Sequence, residues 1–121
     1  MVIKEGSNKV CPFTIGGQLW LQKSNEVFLI RESVELIKEI EKLGSILQAA
    51  KKINISYQKA WNLIDQANRN ARLPLVKRKR GGNAGGGAEV TAEGRKLIEQ
   101  FDQLQHHFNE FINSNLELFG Y

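Results

Sequence analysis

Apolar residues change their spacing several times along this 121-residue chain, and each change predicts an element. Phe13–Leu21 and Val27–Ile30 are β-prone runs on either side of a polar stretch, so a hairpin is expected over 18–30 with Ser24 and Asn25 at its turn. Gly16 and Gly17 weaken the first run and delay its strand to about Gln18. Val34, Leu36, Ile37, Ile40 and Leu43 then recur every three or four residues, which predicts a helix with Ser33 as N-cap and Gly44 as its stop. Ser45 can cap a second, short helix with Ile46, Leu47, Ala49, Ala50 and Ile53 on its apolar face. Asn54 suits a left-handed turn, and Ser56 can cap a third helix beginning at Tyr57. In that helix Ala60, Trp61, Ile64, Ala67 and Ala71 should face inward, and Gln58, Lys59, Asn62, Gln66 and Arg69 outward. Pro74 forbids its continuation.

Leu75-Val76 opens a strand that runs into Lys77-Arg78-Lys79-Arg80, and Glu89-Val90 can return antiparallel across a glycine-rich loop. A long helix is expected over 91–119. Leu97, Phe101, Leu104, Phe108 and Phe111 step by four, three, four and three residues, and Ile98, Ile112, Leu116 and Phe119 widen that seam. A helix of about 28 residues is about 42 Å long and outruns so small a domain. Its second half calls for a partner, most simply a second copy across an interface of Leu97, Phe101, Leu104, Phe108, Phe111 and Ile112. The expected fold is mainly α with small β: one winged helix-turn-helix domain over 1–121. It comprises an N-terminal hairpin over 18–30, helices and wing over 32–90, and a long C-terminal dimerisation helix over 91–119.

Charge sharpens this picture. Nine of the seventeen Lys and Arg residues lie between Lys51 and Gly82, where Asp65 is the only acid, so that window carries +8 and the remainder −4. Cations gathered on a helix pair and the strand after it are what a phosphate backbone selects. A signal-peptide pattern and a run of roughly 20 apolar residues are both absent, so a cytoplasmic protein without a membrane span is expected. Cys11 is single and next to Pro12, with no group to activate it, and is read as structurally incidental.

The chemistry offered is recognition. A helix in the major groove, about 12 Å wide, presents its first turn to base edges. Here that turn holds Ser56, Tyr57, Gln58 and Lys59: its N–H groups suit phosphate, Gln58 suits adenine, and Lys59 suits guanine or phosphate. Asn62 is a weaker base reader one turn on. For an arbitrary helix, a merely solvated face would be the default reading of Gln58 and Lys59. Four consecutive cations at Lys77, Arg78, Lys79 and Arg80 shift it toward duplex DNA. Asn83 either enters a minor groove or is only a turn residue. Tyr57 is either a core edge or a phosphate contact, whereas Trp61 is expected in the core. The glycine cluster lacks the Gly-Lys-Ser/Thr ending of a nucleotide loop. His106 and His107 point about 100° apart on a helix and cannot share a metal unaided. With no cofactor site and no evident nucleophile and base, an enzyme is the remotest class.

Gly44-Ser-Ile-Leu-Gln-Ala-Ala-Lys, Ile55-Ser-Tyr-Gln-Lys-Ala-Trp, Leu75-Val-Lys-Arg, Gly81-Gly-Asn-Ala-Gly-Gly-Gly-Ala and Val90-Thr together resemble the N-terminal domain of ModE-type molybdate-responsive transcriptional regulators. The resemblance runs from about Gln18 to Phe111. It implies a homodimer joined through N-terminal strands and long helices, bound to palindromic duplex DNA. The implied contacts fall on Ser56, Tyr57, Gln58, Lys59, Arg78 and the wing-tip glycines. Lys77, Lys79 and Arg80 make the wing more basic than the family pattern. The family's molybdate-binding domains have no counterpart before Tyr121, so direct molybdate binding is not expected of this chain. Two alternatives stay open: a nonspecific architectural DNA protein, and an adaptor that docks another protein through the long helix.

Overall fold

A computed structural model of the chain describes residues 11–79 and 87–120. Ser24 and Asn25 take positive φ, 51° and 68°, as a tight two-residue hairpin turn demands, and close strands β1 (Trp20–Lys23) and β2 (Glu26–Ile30) into an antiparallel pair. The pairing runs Trp20 to Ile30, Leu21 to Leu29 and Gln22 to Val27, so Phe28 is skipped as a bulge. The first strand thus starts two residues after Gln18.

Helix α1 (Arg31–Leu43) follows without a loop, and its N-cap is Ile30 instead of Ser33. The Ile30 N–H donates to Ser33 Oγ at 3.2 Å, which is one half of a capping box and lets the serine hydroxyl be buried. Gly44, at φ 68°, ends α1 with its N–H on Ile40 O, 2.8 Å away. Ser45 Oγ accepts the Gln48 N–H to start α2 (Ile46–Lys52), and Asn54 makes the left-handed turn at φ 62°. Ser56 Oγ accepts the Lys59 N–H at 3.0 Å and starts α3 (Tyr57–Asn70).

The core joins Leu29, Val34, Leu36, Ile37 and Ile40 to Ile46, Ala49 and Ala50, and to Ala60, Leu63, Ile64 and Ala67. The buried stripe of α3 therefore centres on Leu63 and Ile64, and leaves Trp61 and Ala71 at its half-buried margins. Leu43 is exposed.

Strands β3 (Val76–Arg78) and β4 (Ala88–Val90) form the base of the wing, with Val76 opposite Val90, Lys77 opposite Glu89 and Arg78 opposite Ala88. The Ala88 N–H reaches Gly44 O at 3.1 Å and ties the wing to the turn after α1. Asn68 secures the other side. Its Oδ1 accepts the N–H groups of Leu75 (2.9 Å) and Val76 (3.3 Å), and its Nδ2 donates to Val76 O (3.0 Å). Helix α4 (Ala92–Ser114) begins where Thr91 Oγ1 accepts the Gly94 N–H at 3.0 Å and donates to Pro74 O at 2.7 Å. Gly94 packs so closely that an added Cβ would overlap Leu75 O and sit 2.8 Å from Val90 Cγ1.

The helix is shorter than the expected 91–119. Ser114 Oγ and Asn115 Nδ2 both donate to Phe111 O, at 2.9 and 2.7 Å, and side-chain donors of this kind compete with helix continuation. A 3₁₀ turn, Leu116–Phe119, follows.

By internal packing the chain divides into two units, Trp20–Phe101 and a smaller one of residues 1–19 and 102–121, with α4 contributing to both. Within the described part of the smaller unit, the Phe13 and Phe119 rings meet edge-on at 6.2 Å and Gly17 lies against Phe108. Leu116 is buried there, and the half-buried Cys11 thiol donates to Leu116 O at 3.5 Å.

Candidate nucleic-acid interface

The Ser56 cap fixes where α3 begins, and with it the four side chains that face solvent in its first turn. Ser56, Tyr57, Gln58 and Lys59 are all exposed. Gln58 Nε2 donates to Asn62 Oδ1 at 3.1 Å, so the two amides expected to address base edges lie one turn apart and hydrogen-bond each other. Lys59 Nζ sits 2.9 Å from Glu32 Oε1, at the start of α1. Further along the same outer side, a recess of about 320 Å³ is lined by Lys59, Asn62, Leu63, Asp65, Gln66 and Arg69.

Trp61 is not a core residue. Its position, one residue off the buried stripe, leaves the indole half-buried, and the Arg78 guanidinium lies 4.5 Å from the ring centroid. The Tyr57 ring meets the same indole edge-on at 6.2 Å. Strand alternation explains which wing cation does this: Arg78 shares a face with Val76, whereas Lys77 points the other way. The first turn of α3 and the wing are thereby joined by a Tyr-Trp-Arg stack in which the indole is half-buried between an exposed tyrosine and an exposed arginine.

The +8 window is less bare in three dimensions than in one. Lys59 pairs with Glu32, Arg69 with Glu26, and Arg72 with Glu93 at 3.4 Å, and all three acids come from outside the window. The Arg69 guanidinium, aided by Asn70, holds the Glu26 carboxyl below the usual carboxylate range, and Arg69 is raised in turn. Lys51, Lys52, Lys77 and Lys79 are exposed and form no ion pair among the described residues. Arg80, Asn83 and the wing-tip glycines lie outside the described residues.

Residues of the expected dimer seam separate by burial. Phe101 is 3% exposed, and Leu97, Phe108 and Ile112 are half-buried. Leu104 and Phe111 stay open to solvent, the latter at 67%. His106 pairs with Glu110, 3.0 Å away and one turn on.

Asn68, Gly94 and Glu32 are positions that apolar spacing and local charge do not single out. A Thr-x-x-Gly start at Thr91 is a faint signal for the second. Nothing local marks Asn68 or Glu32, whose partners lie seven to twenty-seven residues away.

Comparison with known proteins gives the geometry its relatives. The chain is 36% identical over 87 residues to the transcriptional regulator ModE of Haemophilus influenzae, and 40% identical over 86 residues to the DNA-binding transcriptional dual regulator ModE of Escherichia coli. Over 71% of its length this chain is a ModE-like winged-helix domain. The molybdenum-pterin-binding protein MopB of Rhodobacter capsulatus is also similar, at 35% identity over 83 residues. No family model matches. The ModE-like chain spans about a third of the length of the curated relatives it matches, 34% of the Haemophilus protein and 33% of that of E. coli. Among its described residues no helix is long and apolar enough to cross a membrane.

Proposed function

We propose that this chain is a sequence-specific, duplex-DNA-binding transcriptional regulator that acts as a homodimer in the cytoplasm. The first turn of α3 supplies sequence preference through Gln58, Lys59 and Asn62, and wing cations at Lys77, Arg78, Lys79 and Arg80 supply affinity by binding phosphates. What supports this above all is the Arg78–Trp61 stack, which sets a wing guanidinium beside an exposed helix start. That is an arrangement for gripping a backbone and a groove together. The names of the ModE relatives point the same way.

Leu104, Phe111, Leu118 and Phe119 are exposed apolar side chains that a second copy would cover. Such a dimer would present two α3 helices to adjacent half-sites about 34 Å apart.

Selection from a random duplex pool tests the reading. A palindromic consensus is expected; retention without a consensus would mean an architectural protein, and no retention would mean an adaptor. Arg78→Ala and Arg80→Ala should each flatten the salt dependence of binding, by about 0.9 in log–log slope for each phosphate left unneutralised. Gln58→Ala should chiefly change the selected sequence.

A further inference from the structure

Lys59 breaks a local rule. It is the third residue of α3 after the Ser56 cap, where the helix dipole favours an acid and disfavours a cation. The chain answers this from another element: Glu32, in the first turn of α1, places Oε1 2.9 Å from Lys59 Nζ. Neither side chain is buried, with 52% of Lys59 and 33% of Glu32 open to solvent, so the pair stands where a groove-bound ligand would arrive.

A carboxylate there has two effects on a polyanion. It holds the ammonium in one place, and it repels a phosphate oxygen that would otherwise take the same ammonium. A neutral base edge is not repelled in this way, and guanine O6 and N7 can accept from an ammonium still held by its carboxylate.

We propose that Glu32 is a positioning residue that reserves Lys59 for a base edge and denies it to phosphate, so that Glu32 sets sequence discrimination without touching DNA. This rests on the DNA-binding reading above and adds to it a selectivity filter between two kinds of site on the same ligand. Lys77 and Lys79, unpaired among the described residues, do the opposite work of binding phosphate wherever it occurs.

The test uses the full chain, the duplex it selects from a random pool, and a scrambled duplex of equal length. Glu32→Gln keeps the shape and removes the charge. It should tighten binding to the scrambled duplex several-fold, deepen the salt slope on that duplex by about 0.9, and lower the selected-to-scrambled affinity ratio at least about fivefold. Glu32→Asp, which keeps the charge, should retain most of the ratio. In a Lys59→Met background Glu32→Gln should change neither slope nor ratio, a dependence that a merely structural role for Glu32 would not produce. Unchanged slope and ratio in Glu32→Gln overturn the inference, as do changes that persist in the Lys59→Met background. If the parent chain retains neither duplex, the DNA-binding reading itself falls, and the inference with it.

Discussion

The two units of this chain differ in how far they enclose their apolar residues, although Trp20, Leu43, Tyr57 and Leu73 of the first are exposed too. In Trp20–Phe101, the large side chains of α1, α2 and α3 close on one another, and Leu29, Leu36, Ile37, Ile40, Ile46 and Leu75 are fully enclosed. In the other, Leu116 is buried among the described residues while Leu118 is 76% exposed and Phe13, Ile15, Leu104, Phe111 and Phe119 also face solvent. A closed core concentrates stability where it lies; an apolar surface of this kind marks a place for association. Stability should therefore be carried by the first unit, and assembly by the second.

The sharpest way to break this contrast is a matched pair of deletions. Leu36→Ala should cost about 3 kcal/mol of unfolding free energy, the usual result of emptying a closed core, whereas Phe111→Ala should cost less than about 1 kcal/mol in the monomer and instead weaken self-association. Urea unfolding and sedimentation equilibrium read the two effects separately, and similar losses in stability for both would end the distinction. Gly94→Ala, at the start of α4, should cost about 2–3 kcal/mol, because a methyl group there meets a carbonyl oxygen and a valine with little freedom to yield.

Asn68→Ala should cost about 2 kcal/mol, since it strips two backbone N–H groups and one carbonyl of their partner. Its second effect is more telling: amide exchange at Leu75 and Val76 should quicken more than at Ile37. Trp61→Leu should cost only about 1 kcal/mol while weakening DNA binding, because the half-buried indole lies at the margin of the core, where leucine keeps an apolar contact but cannot hold Arg78. Unaltered affinity would detach the wing from α3.

The smallest effect is a pH dependence at the hairpin. Arg69 holds the Glu26 carboxyl below its ordinary range, so the folded state favours the ionised form. That contribution is present at neutral pH and fades as pH falls from the ordinary carboxylate value through the lowered one. Glu26→Gln should therefore lower stability slightly at neutral pH, leave it unchanged at the acid end, and so flatten the acid limb of the profile.

Much of the fold was legible in the chain because its signals are local. Spacing of three and four residues located α1 to α3, and the glycine and asparagine at positions 44 and 54 took the left-handed turns expected of them. The caps at Ser45 and Ser56 fell where expected, since a hydroxyl needs only the next turn of backbone to satisfy. Ser33 lies inside α1 and not at its cap, because the same hydroxyl serves equally well three residues into a helix, reaching back to the Ile30 N–H. The end of α4 was lost to Ser114 and Asn115, whose side chains compete with the helix in a way that spacing does not reveal.

The candidate interface divides along the same line. That α3 presents Gln58, Lys59 and Asn62 outward, and that a basic strand follows it, could be read from periodicity and charge alone, for both are properties of neighbours in sequence. Which cations remain available was decided only in the fold, because Glu26, Glu32 and Glu93 come from three other elements to meet Arg69, Lys59 and Arg72. So was the use of Trp61, which reads as core by helical phase and lies half-buried at its margin with Arg78 over its ring. Helical phase and local charge are written residue by residue, whereas ion pairs and stacking need two segments at one place, and that meeting exists only once the chain has packed.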